Sequence, residues 1–118
     1  MAYDPDNVFA KILRGEIPCK KIYEDEFALA FPDIAPNAPV HILVIPKGEF
    51  VSYDDFMARA GDAMIAGFFR AVRAVAVQEG VADAFRLITN NGEKAGQSVH
   101  HFHMHILAGK RMGGPLVR

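Results

Sequence analysis

One cysteine, almost no net charge and no long uncharged apolar run set the first limits on this 118-residue chain. The lone Cys19 excludes an internal disulfide and any Cys-x-x-Cys metal knuckle. A formal charge of −1 gives no electrostatic reason to expect DNA or RNA as a main partner. Without a long apolar run, no transmembrane helix and no membrane partner are expected. The N-terminus carries Asp4 and Asp6 and lacks a basic region followed by an apolar one, so no secretory signal is expected. A reduced, cytoplasmic setting fits these absences. There is no internal repeat and no linker, and the length predicts a single domain over 1–118. The 51% hydrophobic content supplies material for its core.

The elements follow from local chemistry. Asp6 or Asn7 can cap a short helix carrying Phe9, Ile12 and Leu13, with Gly15 at its end and Pro18 blocking continuation. Lys20 to Tyr23 and Phe27 to Phe31 read as short strands around the acidic turn Glu24-Asp25-Glu26. Pro32, Pro36 and Pro39 mark a stiff loop holding Asp33 and Asn37. His41 to Ile45 is a strongly apolar strand, read as central and closed by Pro46. Ser52 to Ala60 is a short helix that Gly61 interrupts. A longer helix starts at Asp62, where Met64, Ile65, Phe68, Phe69, Val72, Val75 and Ala76 make one broad apolar face, and Gly80 suits its stop. Phe85 to Thr89 is a fourth strand. The basic, glycine-rich tail from Gly109 is expected to be poorly ordered unless a partner holds it. The pattern predicts an α+β domain: a five-stranded antiparallel sheet with one long and one or two short helices.

The stretch that carries chemistry is His101-Phe102-His103-Met104-His105-Ile106-Leu107. Its period of two predicts a strand with Phe102, Met104 and Ile106 in a core and three imidazoles on the opposite face. Three readings compete. Imidazoles two residues apart can converge on a metal ion, but His101 and His105 stand roughly 13 Å apart along a strand, so a two-histidine site needs a further ligand such as His41 or a carboxylate. Histidines on a solvated face are a second reading, but they leave the polar glycine loop upstream without a role. The third is nucleophilic and acid–base chemistry. A neutral imidazole can attack phosphorus if a backbone carbonyl fixes the proton on Nδ1 and leaves Nε2 free. His103, flanked by histidines, is best placed for that. Asn90, Gln97 and Ser98 can donate to a phosphate, and Gly92 and Gly96 let backbone approach it.

The chain resembles the histidine triad family, and within it the nucleotide-binding branch. The resemblance rests on Gly96 to Leu107, on Asp33-Ile34 with Pro39 and His41 to Lys47, and on Val8-Phe9, Ile12 and Ile17-Pro18. It covers Asn7 to Arg111. It departs from close relatives in lacking a tryptophan near the C-terminus, and from the zinc-site branches in lacking their cysteines. His100 is assigned no catalytic role.

The resemblance implies a purine nucleoside phosphoramidase, a nucleotidyl hydrolase working through a covalent nucleotidyl-histidine. His103 would attack the α-phosphate of AMP conjugates. His105, His101 and Ser98 would assist there, and His41 would be the remote histidine. Asp33 would bind the ribose. Phe9, Ile12, Ile17, Phe31 and Ile34 would line the base pocket, and Asn90, Gln97 and Ser98 would contact phosphate. No metal or other cofactor is implied. A homodimer is, and the breadth of the face with Phe68 and Phe69 supports it. The alternatives are a dinucleoside polyphosphate hydrolase and a nucleotide-binding interaction module with incidental turnover.

Overall fold

The structure is a computed structural model and describes residues 2–112. Its architecture is the expected one: a five-stranded antiparallel sheet with one long and two short helices. The strands are β1 (Tyr23–Glu24), β2 (Ala28–Pro32), β3 (Val40–Pro46), β4 (Arg86–Ile88) and β5 (Met104–Ala108). They lie in the order β1-β2-β3-β5-β4, which makes β3 central and slots β5 between β3 and β4. β3 is apolar on both faces because both faces are covered, and all but its first residue are buried.

The larger core lies between one face and the helices α2 (Tyr53–Arg59) and α3 (Asp62–Gln78). Ala28, Ala30, Ile42, Val44, Met104 and Ile106 supply the sheet side, and Phe68, Ala71, Val72 and Val75 the α3 side. Phe56, Phe68 and Phe102 are fully buried, with ring centroids 4.8 to 5.3 Å apart. Burial of each contributes about 1.5–3 kcal/mol. Ser52 caps α2 by accepting from the Asp55 amide at 3.2 Å, while Asp55 accepts from the Val51 amide at 2.8 Å. In α3, Gly67 is required by close approach: a Cβ there would meet the Phe27 ring at 2.3 Å.

The opposite face carries Leu29, Phe31, Leu43 and Ile45, closed by Phe9 and Ile12 of α1 (Val8–Leu13). Asn7 caps α1 by accepting from the Ala10 amide at 2.9 Å. This second core changes one expectation. The histidine face is not a solvated polar face: His41, His101 and His103 are buried on it.

A second difference concerns the histidine strand itself. It begins at Met104, three residues later than its alternation predicts. The backbone of residues 101–103 bonds elsewhere: the Phe102 amide donates to the Phe50 carbonyl at 2.7 Å, and the His103 carbonyl accepts from the Thr89 hydroxyl at 2.8 Å. The side-chain alternation survives, with Phe102, Met104 and Ile106 all in the larger core. Of the tail from Gly109, residues 113–118 lie outside the described residues.

Candidate active site

The site grows from the β3–β5 register. Leu43 faces His105 and His41 faces Leu107, so His41 and His105 are diagonal neighbours on the same sheet face. Their rings meet, with centroids 5.1 Å apart and His41 Nε2 lying 2.9 Å from His105 Nδ1. His103 follows on the same face, 5.1 Å from His105 between centroids. The edge of Phe9 packs against His103 at 5.0 Å and 85°.

Obligate donors and acceptors fix the tautomers. The Asn37 amide donates to His41 Nδ1 at 3.0 Å, so that nitrogen carries no proton and Nε2 does. His41 Nε2–H then donates to His105 Nδ1, which leaves neutral His105 with its proton on Nε2. Asp33 Oδ2 faces His41 Nε2 at 3.4 Å, while Asp33 Oδ1 accepts from the Ala35 amide at 2.8 Å. His103 Nδ1–H donates to the His101 carbonyl at 2.7 Å, the bond a histidine nucleophile needs to keep Nε2 unprotonated. Among the described residues no side-chain nitrogen or oxygen is sealed from solvent without a partner. His103 Nε2 makes no hydrogen bond among them, so it opens to solvent although its residue is only 7% exposed.

Burial dominates the titration of this patch. Desolvation pushes the His101 and His105 imidazoles down to about 4, with the neighbouring histidines adding to the shift at His105. His103 is also lowered by desolvation, against the opposing pull of its bond to the His101 carbonyl and the charge of Asp33. These three rings are therefore neutral at pH 7, the form in which an imidazole is a nucleophile.

The structure gives His101 a different place from the one expected at the phosphate. It is fully buried, and both ring nitrogens are occupied: Nε2–H donates to the Pro46 carbonyl at 3.0 Å and Nδ1 accepts from the Tyr3 hydroxyl at 2.7 Å. It has no free ring nitrogen for a ligand. Gln97 is also turned inward. Its Nε2 donates to the Val51 and Val99 carbonyls at 2.6 and 3.0 Å, and its Oε1 accepts from the Gly92 amide at 2.8 Å. Main-chain groups outside the ladder need partners, and this buried amide satisfies three of them. Its side chain thus has no free donor for a phosphate. The loop's shape also relies on Gly96, which takes a φ of 96°. Asn90 and Ser98, by contrast, are exposed.

Among the expected pocket residues, Phe9, Ile12 and Phe31 are buried in the second core, and Ile17 packs against it half-buried. Ile34 does not join them. At the tip of the proline-rich loop it is fully exposed. Tyr3, Thr89 and the Asn37 amide are parts of the site that sequence reasoning missed, since each acts through a contact distant in the chain or through backbone.

One set of donors could hold a metal. Single ligand atoms of Asp33, His41 and His105 lie within 4.8 Å of one another. An ion there would have to displace the proton shared by His41 and His105. A cavity of about 440 Å³ opens beside Asp33 and His41. A larger one, about 770 Å³, lies between Gly80–Arg86 and Gly109–Met112 and contains none of these histidines.

Solved structures of histidine triad proteins share this fold. A HIT family hydrolase from Clostridium thermocellum is 38% identical with a TM-score of 0.83, over 95% of this chain and 97% of that one. A histidine triad nucleotide-binding protein from Candida albicans is 26% identical with a TM-score of 0.78, over 96% of this chain and 84% of that one. An uncharacterized 13.2 kDa HIT-like protein of Azospirillum brasilense is 62% identical over 112 residues, 94% of this chain and 92% of its own length. The HIT domain model matches residues 14–112, and the chain belongs to that family, one of nucleotide-binding hydrolases and transferases.

Proposed function

We propose that this chain is a purine nucleoside phosphoramidase that passes through a nucleotidyl-histidine at His103. The observation that carries the reading is the 2.7 Å bond from His103 Nδ1–H to the His101 carbonyl. The Nε2 lone pair attacks the α-phosphorus, the P–N bond to the amine breaks, and the amine leaves with a proton drawn from solvent, while neutral His105 donates its Nε2–H as a hydrogen bond to a phosphate oxygen. The ring becomes cationic as the new N–P bond forms, and the Nδ1–H bond to the carbonyl strengthens with that charge. Water then attacks phosphorus, breaks the N–P bond to His103, loses its proton to solvent and releases AMP, which restores neutral His103. Asp33 takes the ribose hydroxyls, Phe9, Ile12, Ile17 and Phe31 form the base wall, and Asn90 and Ser98 reach the phosphate.

The Clostridium thermocellum and Candida albicans proteins, a hydrolase and a nucleotide-binding protein by name, support the reaction class and the ligand class. A homodimer belongs to the same reading: β4 is an edge strand, and Leu87 on it and Val77 on α3 are exposed. Sedimentation of the purified chain tests that part.

The reaction is tested with His103→Ala. Turnover of an adenosine phosphoramidate falls by at least about 10⁴-fold, and AMP still binds. Near-wild-type turnover by this variant refutes the reading. A preference in kcat/KM for dinucleoside polyphosphates over phosphoramidates moves the assignment to that substrate class.

A further inference from the structure

The bond that prepares His103 depends on the place of one carbonyl, that of His101. Sheet pairing does not hold this carbonyl, because β5 begins at Met104. The main chain here has two anchors outside the ladder: the Phe102 amide, in the same peptide group as this carbonyl, donates to the Phe50 carbonyl, and the His103 carbonyl accepts from the Thr89 hydroxyl. The His101 ring adds a further hold, on the other side of that peptide group. That ring is gripped at both ends, by the Pro46 carbonyl at Nε2 and by the Tyr3 hydroxyl at Nδ1. The carbonyl can only accept, so Nε2 carries the proton and the phenol must be the donor to Nδ1. Tyr3 also packs edge-on against the ring, with centroids 5.6 Å apart at 66°. The same N-terminal segment supplies Phe9, whose edge rests on His103.

We propose that Tyr3 is a positioning residue for the nucleophile: its hydroxyl locks the His101 ring, and the locked residue holds its carbonyl where it receives His103 Nδ1–H. This deepens the reading of His103 as nucleophile and rests on it. Tyr3 touches neither substrate nor the reacting nitrogen. Its effect passes through two hydrogen bonds of 2.7 Å in series, Tyr3 to His101 and His103 to His101. Without the hydroxyl, the buried Nδ1 of His101 loses its partner and the ring can shift to seek another. A displaced carbonyl lengthens the second bond and lets the His103 ring turn, which misaims Nε2. Small errors of aim in a nucleophile lower kcat more than they lower binding.

The test uses the full chain with Tyr3→Phe, which keeps the ring and removes only the hydroxyl. Adenosine phosphoramidate turnover and AMP binding are measured, with solvent exchange of the His103 Nδ1 proton followed by NMR. The expected result is about a tenfold loss of kcat, with KM and the AMP Kd within about twofold of wild type. His103 Nδ1–H should also exchange faster. Tyr3→Leu, which loses the edge contact as well, should show losses at least as large. An unchanged kcat overturns the proposal, and so does a fall in kcat with exchange at the wild-type rate. If the wild-type chain does not hydrolyse the phosphoramidate, the reaction reading fails separately. Exchange alone then decides the role of Tyr3: faster in Tyr3→Phe sustains it, unchanged overturns it.

Discussion

His41 donates its Nε2 proton to Nδ1 of His105 across 2.9 Å, and the Asn37 amide on the far side of His41 fixes that direction. The consequence is an N–H on the outward nitrogen of His105, aimed as a hydrogen-bond donor toward a bound phosphate. His41→Ala should lower kcat about tenfold through loss of this orienting bond, and His105→Ala about 10²-fold or more through loss of the donor to the phosphate itself. AMP affinity should change much less than kcat in His41→Ala. Steady-state kinetics beside AMP titrations check both.

Stability should fall on mild acidification. His101 and His105 have folded values near 4, and His103 is lowered, against an ordinary 6.5. Below pH 6.5 the unfolded chain takes up protons that the folded chain refuses. The contribution is full above 6.5 and lost as pH falls toward 4; His101 alone accounts for about 3 kcal/mol. Asp55, held near 2 by Arg59, adds a further loss only below its ordinary 3.8. Urea midpoints between pH 7.5 and 4.5 should therefore drop before carboxylates matter. A flat profile across that range counts against the burial of these rings.

Gln97 and Ser98, adjacent in sequence, should separate cleanly on substitution. Gln97→Ala strips partners from the Val51 and Val99 carbonyls and the Gly92 amide, and should destabilise the fold by about 2–3 kcal/mol. Ser98 is exposed, so Ser98→Ala should leave the urea midpoint in place and lower turnover instead. Paired unfolding and activity measurements read the contrast.

Activity should survive a chelator. The lone pairs of His41 Nδ1 and His105 Nδ1 are both engaged as acceptors, and the remaining nitrogens of these rings carry protons. Dialysis against EDTA is expected to leave kcat unchanged; a loss restored by zinc would reassign the Asp33, His41 and His105 cluster as a metal centre.

Much of the fold was legible because period and punctuation are local. The apolar run of β3, the helical repeat from Met64 to Ala76 and the caps at Asn7 and Ser52 each act within a few residues. The alternation of Phe102, Met104 and Ile106 correctly gave the core face. It could not tell that residues 101–103 bond outside the ladder, because those partners lie in Phe50 and Thr89. The inward turn of Gln97 was hidden for the same reason: its partners are main-chain groups that no side-chain pattern records. Tyr3 meets His101 across 98 positions of chain, and an isolated tyrosine in a polar arm carries no sign of it.

The position of β5 between β3 and β4 has a consequence for assembly. β4 is translated before β5 but pairs, among the described residues, with β5 alone. A nascent chain that ends before Met104 has no ladder to join β4 to the rest of the sheet. His105 arrives on β5, the last strand made among the described residues, and His101 and His103 just before it, so sheet completion and the birth of the reactive centre are one event. A chain interrupted short of that strand should therefore be wholly inert rather than partly active.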